Sequence, residues 1–335
     1  MNIEAIIGTA QALVSNHKGL LAMDESTPTC NKRFAKLGIP QTEEYRRRWR
    51  ELIATTPGIG DSISGTILFD ETIRQSTKEG IPIVEALTGA GIIPGIKVDA
   101  GAVAMALHPG EKVTDGLDGL RRRLEEYRGM GARFAKWRAV ITIGSGIPGR
   151  SCIEANAHAL ARYAALCQEA GMVPVVEPEV LMDGEHTIKR CGEVSEEVLL
   201  AVFNELNRQR VVPEGLILKT NMVLPALGCP TQNSDDEVAD ATMKSLLRTV
   251  PAAVPGIAFL SGGQSSELAS ARLNAINVRH GSRAPWALSF SFARAIQQPA
   301  MEIWHGETAN TAAAQKSLEH RARCNFLARQ GLYHE

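Results

Sequence analysis

GLILKTNM, residues 215–222, runs as a short apolar strand through Leu216, Ile217 and Leu218 and then places a lysine, Lys219, directly after it. Short apolar runs of this kind recur along the chain, each followed by a longer polar stretch. They are GLLAMDES (19–26), SGTILFDE (64–71), IPGIKVD (93–99) and RFAKWRAV (133–140), then MVPVVEPEV (172–180), GLILKTNM, GIAFLSGG (256–263) and WALSFSFA (286–293). Between them lie segments such as AHALARYAALCQEAG and SSELASARLNAINV, whose apolar residues fall at i, i+3 and i+4 and predict helices. Strands alternating with helices call for a parallel sheet, and eight such units in one chain favour a closed (β/α)8 barrel over an open doubly wound sheet. No linker rich in Pro, Gly or Ser divides the chain, so a single α/β domain over residues 1–335 is expected. It begins with an amphipathic helix and ends with a second one, TANTAAAQKSLEHRARCNFLARQG (308–331), against the barrel exterior.

The composition, 44% hydrophobic and 22% charged, supports a large core and excludes a disordered chain. A net charge of -1 excludes binding of nucleic acid or anionic membrane through bulk charge. The six cysteines form no CxxC pair and the eight histidines no HExxH spacing, so a reduced protein with no metal site and no cofactor is expected. Glu4 and the lack of a basic leader argue against a signal peptide, no apolar run is long enough to span a membrane, and the cytoplasm is the expected location.

The polar residues in the runs sit toward the C-terminal ends of their strands. Side chains alternate along a strand, so Lys219 shares a face with Ile217, Glu177 with Val175 and Glu179, Lys136 with Phe134 and Arg138, and Lys97 with Asp99. Asp24, Ser261 and Arg294 stand at the ends of the first, seventh and eighth strands. In a barrel of this kind that end holds the active site, whereas a charge lower down would lie among packed side chains. Each feature alone has an ordinary explanation, a snorkelling lysine or a helix cap. Their joint place at one mouth points to a site.

Three lysines and three carboxylates suit one chemistry in particular. Neighbouring ammonium groups and burial both disfavour a charged amine, so Lys219 is expected to lose its proton, attack a ketone and form a Schiff base. Such an iminium stabilises the carbanion left when an adjacent carbon–carbon bond breaks, with Glu177, Glu179 or Asp24 taking the proton of the departing hydroxyl. Ser261, Gly262 and Gly263 open a helix after the seventh strand, where free N–H groups would face an anion with Arg294 as counter-charge. Ser26, Thr29, Lys32 and Arg33, together with Lys97, are expected to hold a second anion across the mouth. A retaining glycosidase on the same fold would use a carboxylate pair such as Glu177 and Asp24, but it leaves the lysines without a role.

The runs LAMDEST, TILFDET, GIKVD, FAKWR, VPVVEPE, ILKTNMV, FLSGGQS and WALSFSFARA, in this order, resemble class I fructose-1,6-bisphosphate aldolase from about residue 19 to about residue 331. The resemblance implies reversible cleavage of fructose 1,6-bisphosphate to dihydroxyacetone phosphate and glyceraldehyde 3-phosphate, in glycolysis and gluconeogenesis, by a metal-independent homotetramer. It implies that Lys219 forms the Schiff base at C2, that Lys136 balances charge with Arg138 beside it, and that Glu177 and Glu179 act as acid/base and orienting carboxylates. Asp24 is placed near the C3 and C4 hydroxyls, and either Asp24 or Glu177 takes the C4 hydroxyl proton. Ser261, Gly262, Gly263 and Arg294 correspond to the C1-phosphate site, and Ser26, Lys32, Arg33 and Lys97 to positions around the other end of the substrate. A scaffold that has lost catalysis fits poorly, because every corresponding catalytic position is intact.

Departures from the family pattern are Thr220 where proline is common after the lysine, Phe292-Ala293 where Tyr-Gly is common, and Thr29 where serine is common. The sequence ends at GLYHE, without the long catalytic tail whose terminal tyrosine aids proton exchange at the enamine, so that step is expected to be slower or to use another group; Tyr333 does not take that role. RRRWR (46–50) and RRR (121–123) are expected to be solvated faces or subunit contacts, and His158 a surface or helix-packing residue.

Overall fold

Each apolar run folds as a strand: β1 Gly19–Ala22, β2 Ile63–Leu68, β3 Ile93–Lys97, β4 Phe134–Ile141, β5 Val173–Val180, β6 Ile217–Thr220, β7 Gly256–Phe259 and β8 Ala287–Phe292. The structure, a computed structural model, describes residues 2–334. The strands close in the order β1-β8-β7-β6-β5-β4-β3-β2, parallel throughout, and form the expected (β/α)8 barrel. Helices cover the outside and side chains fill the lumen, so both strand faces are dry, which is why the runs read as nearly continuous hydrophobes.

The lumen floor decides what can lie above it. Leu20, Ala22, Ile67, Phe134, Val173, Val175, Ile217 and Ala258 pack with Ile6, Ala10, Leu13 and Val14 of the helix Ile3–Val14. The N-terminal helix therefore plugs the bottom of the barrel with its apolar face. Phe134 fits because residue 95 is glycine: a Cβ there would lie 2.3 Å from the ring. Burying a side chain of that size stabilises the fold by about 1.5–3 kcal/mol. One strand period above Phe134, Val175 and Ile217 come Lys136, Glu177 and Lys219, so the alternation that builds the floor also aims these groups into the upper lumen.

Three features depart from the sequence reading. Between β3 and the helix Leu120–Gly129 an antiparallel hairpin, Gly101–Ala104 with Lys112–Asp115, interrupts the simple strand–helix alternation. RRRWR is not simply a solvated face: on the helix Glu43–Ala54, Arg46, Trp49 and Arg50 are buried. Arg46 pairs with Glu71 at 2.6 Å and Arg50 with Glu25 at 2.8 Å, because positions 46 and 50 fall on the same helix face as Trp49. In the second basic run, Arg121 is an exposed partner of Glu169, but Arg123 turns inward and donates to the Val98 and Gly116 carbonyls.

The final helix, Thr311–Ala328, lies against the outer layer and buries Ala314, Leu318, Ala322, Asn325 and Ala328. Tyr333 donates its backbone N–H to Asn274 at 3.0 Å, and it is not among the residues lining the barrel mouth. His158 is an exposed helix residue 3.3 Å from Glu205. All six cysteines are buried free thiols.

Candidate active site

Strand register sets the positions of the charged groups. On β5 and β6, Val175 pairs with Ile217, so Glu177 and Lys219 stand level two residues higher; on β3 and β4, Lys97 pairs with Lys136. Between neighbouring strands Lys219 Nζ lies 3.0 Å from Glu177 Oε1 and Lys136 Nζ 3.3 Å from Glu177 Oε2, and across the lumen Lys136 Nζ lies 2.6 Å from Asp24 Oδ2. Glu177 is thus shared between two lysines. Arg138 is bonded to Glu179, and Lys97 to Asp99 at 2.8 Å. The sequence reading makes ammonium groups the company of Lys219; the structure puts a carboxylate at its amine, because the facing position on β5 is Glu177.

Burial alone would raise the Asp24 carboxyl, but the Lys136 and Lys219 ammoniums outweigh it and hold its pKa at about 2. Glu177 follows the same balance: burial pushes it up, and Lys136, Lys219 and Arg138 pull it below the usual carboxylate range. For Lys136, burial acts against the charge, yet Asp24 and Glu177 hold its pKa above the ordinary value. The pocket therefore keeps both carboxylates ionised around a fixed positive charge. Glu177 Oε2 touches Lys136 only as an ion pair, and Ser291 Oγ is buried with no hydrogen-bond partner among the described residues, so both can still accept from a ligand hydroxyl.

These groups line a cavity of about 340 Å³ that also includes Ser26, Thr29, Ser261, Gly262, Ala293 and Arg294. Lys32, Arg33 and Gly263 line an adjoining pocket of about 750 Å³, which shares Thr29 and Arg294 with the first. Lys97, on β3, thus stands apart from Lys32 and Arg33, which lie on the Arg294 side. Arg33 is already committed, bonded to Glu25 and donating to Gln298 at 3.2 Å. Among the cations of the central cavity, Arg294 has no carboxylate within ion-pair distance among the described residues. Gly262 and Gly263 have φ of +60° and +97°, values that favour glycine; a Cβ on Gly263 would lie 3.4 Å from Arg294 Nη2.

Sequence reasoning missed a second layer. Glu25, next to Asp24, accepts from Arg33 and forms an ion pair with Arg50 at 2.8 Å, and these two charges outweigh its burial and hold its pKa below the ordinary value. The sequence signal was available: Arg46 and Arg50 lie one helical turn apart and flank Trp49. Asp99 also accepts from the Arg138 N–H at 3.2 Å and steadies β4 beside Lys136. Among the described residues no group of three His, Cys, Asp or Glu side chains is arranged to hold a metal, and no helix is long and apolar enough to cross a membrane.

A closed parallel barrel with buried lysines set against carboxylates in its upper lumen, Lys136 and Glu177 in mid-strand and Lys219 near a strand end, has the layout of a barrel enzyme. The family model for class-I fructose-bisphosphate aldolase matches residues 5–335. A protein of Xanthomonas campestris pv. campestris described as "Probable fructose-bisphosphate aldolase class 1" is 57% identical over 332 residues, covering 99% of both chains. The cytosolic fructose-bisphosphate aldolase 5 of Arabidopsis thaliana is 49% identical over 98% of this chain and 92% of its own. The crystal structure of fructose-bisphosphate aldolase from Plasmodium falciparum, in complex with TRAP and a small-molecule inhibitor, superposes with a TM-score of 0.98 at 46% identity, covering 99% of this chain and 96% of that one. The chain belongs to the class I fructose-bisphosphate aldolase family of lyases.

Proposed function

We propose that Lys219 is the amine that forms the Schiff base in reversible cleavage of fructose 1,6-bisphosphate, and the observation that carries this reading is its 3.0 Å contact with Glu177. Glu177 takes the proton from Lys219, and the neutral amine attacks the C2 carbonyl to give a carbinolamine. Returned to the C2 hydroxyl, that proton lets water leave and an iminium form. Asp24, paired with Lys136, removes the proton of the C4 hydroxyl as the C3–C4 bond breaks and C4 becomes the aldehyde carbon. The bond's electron pair passes to the iminium as an enamine, and the aldehyde departs. Lys136 offsets the negative charge of Asp24 and Glu177 through these steps. Glu179 and Arg138 hold each other beside Glu177.

Arg294, Ser261, Gly262 and Gly263 take the C1 phosphate. The uncommitted guanidinium of Arg294 beside a glycine loop supports this assignment. Ser26 and Lys97 take the other end of the substrate, and Lys32 draws the anion in from the adjoining pocket. Arg33, tied to Glu25, acts by holding that carboxylate.

A homotetramer fits the apolar hairpin tip, where Leu107 is 98% exposed and Val103 42%, and sedimentation reads its size. A cytoplasmic location is in keeping with the cytosolic Arabidopsis relative. The test of the assignment is cleavage by Lys219→Met, assayed on fructose 1,6-bisphosphate and fructose 1-phosphate. The account expects loss of turnover on both sugars in a folded protein, and turnover at the original rate would overturn it.

A further inference from the structure

β5 and β6 separate where the chemistry sits. Their backbone pairing runs through Val175↔Ile217 and Val176↔Leu218 and goes no further. Yet β5 stays paired with β4 as far as Ile141↔Val180, and β6 with β7 as far as Thr220↔Phe259. The β5–β6 ladder thus has its last bridge one residue below Glu177 and Lys219, whose side chains meet just above it. Higher up, a side chain rejoins the two strands: the Val180 N–H donates to Asn221 Oδ1 at 3.0 Å. Asn221 Nδ2 donates in turn to the Met222 carbonyl at 3.0 Å and to Ser195 Oγ at 3.3 Å, so the amide plane is held from both ends. Asn221, Ser195 and Val180 are all buried.

We propose that Asn221 is a positioning residue for this reaction: its side-chain amide replaces the missing β5–β6 backbone pairing and so sets the separation of Glu177 from Lys219. The inference rests on the reading of Lys219 as the nucleophile. Proton transfer between that amine and Glu177 needs hydrogen-bond contact, and the two groups hang from the residues just beyond the last bridge of the β5–β6 ladder, where no further bridge fixes their separation. A buried Val180 N–H left without its acceptor would also carry a desolvation penalty, which drives the edge to rearrange.

Asn221→Leu keeps the volume and removes both the acceptor and the donor. Three readouts apply: the rate of borohydride trapping with dihydroxyacetone phosphate, kcat and KM for fructose 1,6-bisphosphate, and hydrogen exchange at the Val180 amide. The expected result is a KM within about twofold of the parent. Trapping rate and kcat fall together by about tenfold to a hundredfold, as a small misplacement of reacting groups requires. Val180 exchange accelerates. A folded Asn221→Leu protein whose trapping rate stays within about twofold of the parent overturns the proposal.

If that variant does not fold, Ser195→Ala decides, because it removes one of the bonds that orient the amide. A fall in kcat of about threefold or more at unchanged KM supports the role, and an unchanged kcat contradicts it. Lys219→Met keeps the two claims distinct. Trapping that survives this substitution removes the reading of Lys219 and the inference with it, whereas trapping lost in Lys219→Met but undiminished in Asn221→Leu removes the inference alone.

Discussion

Asp24 Oδ2 lies 2.6 Å from Lys136 Nζ, with both side chains buried in the barrel mouth. The pair brings together the end of β1 and the middle of β4, elements far apart in sequence. Because Lys136 also faces Glu177, one ammonium neutralises two carboxylates that would otherwise repel each other.

Lys136→Met should therefore do more than remove a contact. It leaves Asp24 and Glu177 buried together with less compensation, so the Asp24 pKa should rise from about 2. Loss of a buried partner costs about 3–5 kcal/mol of stability. Carbon-detected NMR titration of Asp24 and urea unfolding check the two effects. An Asp24 carboxyl still titrating near its present value would contradict the arrangement.

The same shift fixes a pH dependence. Asp24 titrates at about 2 in the folded protein, against roughly 3.9 when unfolded. Its folded value is depressed, so the stability it contributes is present above the unfolded value and is lost as pH falls through the folded one. That contribution is roughly 2–3 kcal/mol. Glu177, depressed for the same reason, adds to the loss in the same direction. Unfolding free energy followed from about pH 5 to about pH 2 should fall less steeply in Asp24→Asn than in the parent. Equal slopes would show that Asp24 is not held ionised by its neighbours.

Glu25→Gln tests the layer behind the site. Arg50 is 2% exposed and, among the described residues, forms its ion pair with Glu25 alone, so the substitution leaves a buried guanidinium uncompensated. A loss of about 3–5 kcal/mol is expected, visible as a lowered Tm. A Tm within a degree or so of the parent would place Arg50 in the solvated setting that its basic run suggested.

Gly263→Ala addresses the anion side. Its φ of +97° strains any side chain, and the new methyl would sit 3.4 Å from Arg294 Nη2. KM for fructose 1,6-bisphosphate should rise by about tenfold or more, with a smaller change in kcat, since the contact is made equally in ground and transition states. An unchanged KM would remove this loop from phosphate binding.

The barrel was legible because strands buried on both faces leave a signature in every run, and the alternation around Phe134, Val175 and Ile217 told which groups face inward. Pairings were less so. That Lys219 meets Glu177 depends on a strand register fixed by packing across the barrel. That Lys97 stands apart from Lys32 and Arg33 depends on where a loop after β1 turns. Arg46 and Arg50 looked solvated because charge runs usually are, and here Glu25 and Glu71, on other elements, reverse that default. The hairpin after β3 was hidden because the apolar residues of GAVAMALHPGEKVTD (101–115) are largely exposed and leave no buried-strand signature.

The most direct test of the account is to treat the protein with borohydride in the presence of dihydroxyacetone phosphate, digest it, and locate the reduced adduct by mass spectrometry. The account predicts a single modified peptide carrying the adduct on Lys219, and none without the ketone. An adduct found on Lys136 or Lys97 instead, or none from active enzyme, would contradict it.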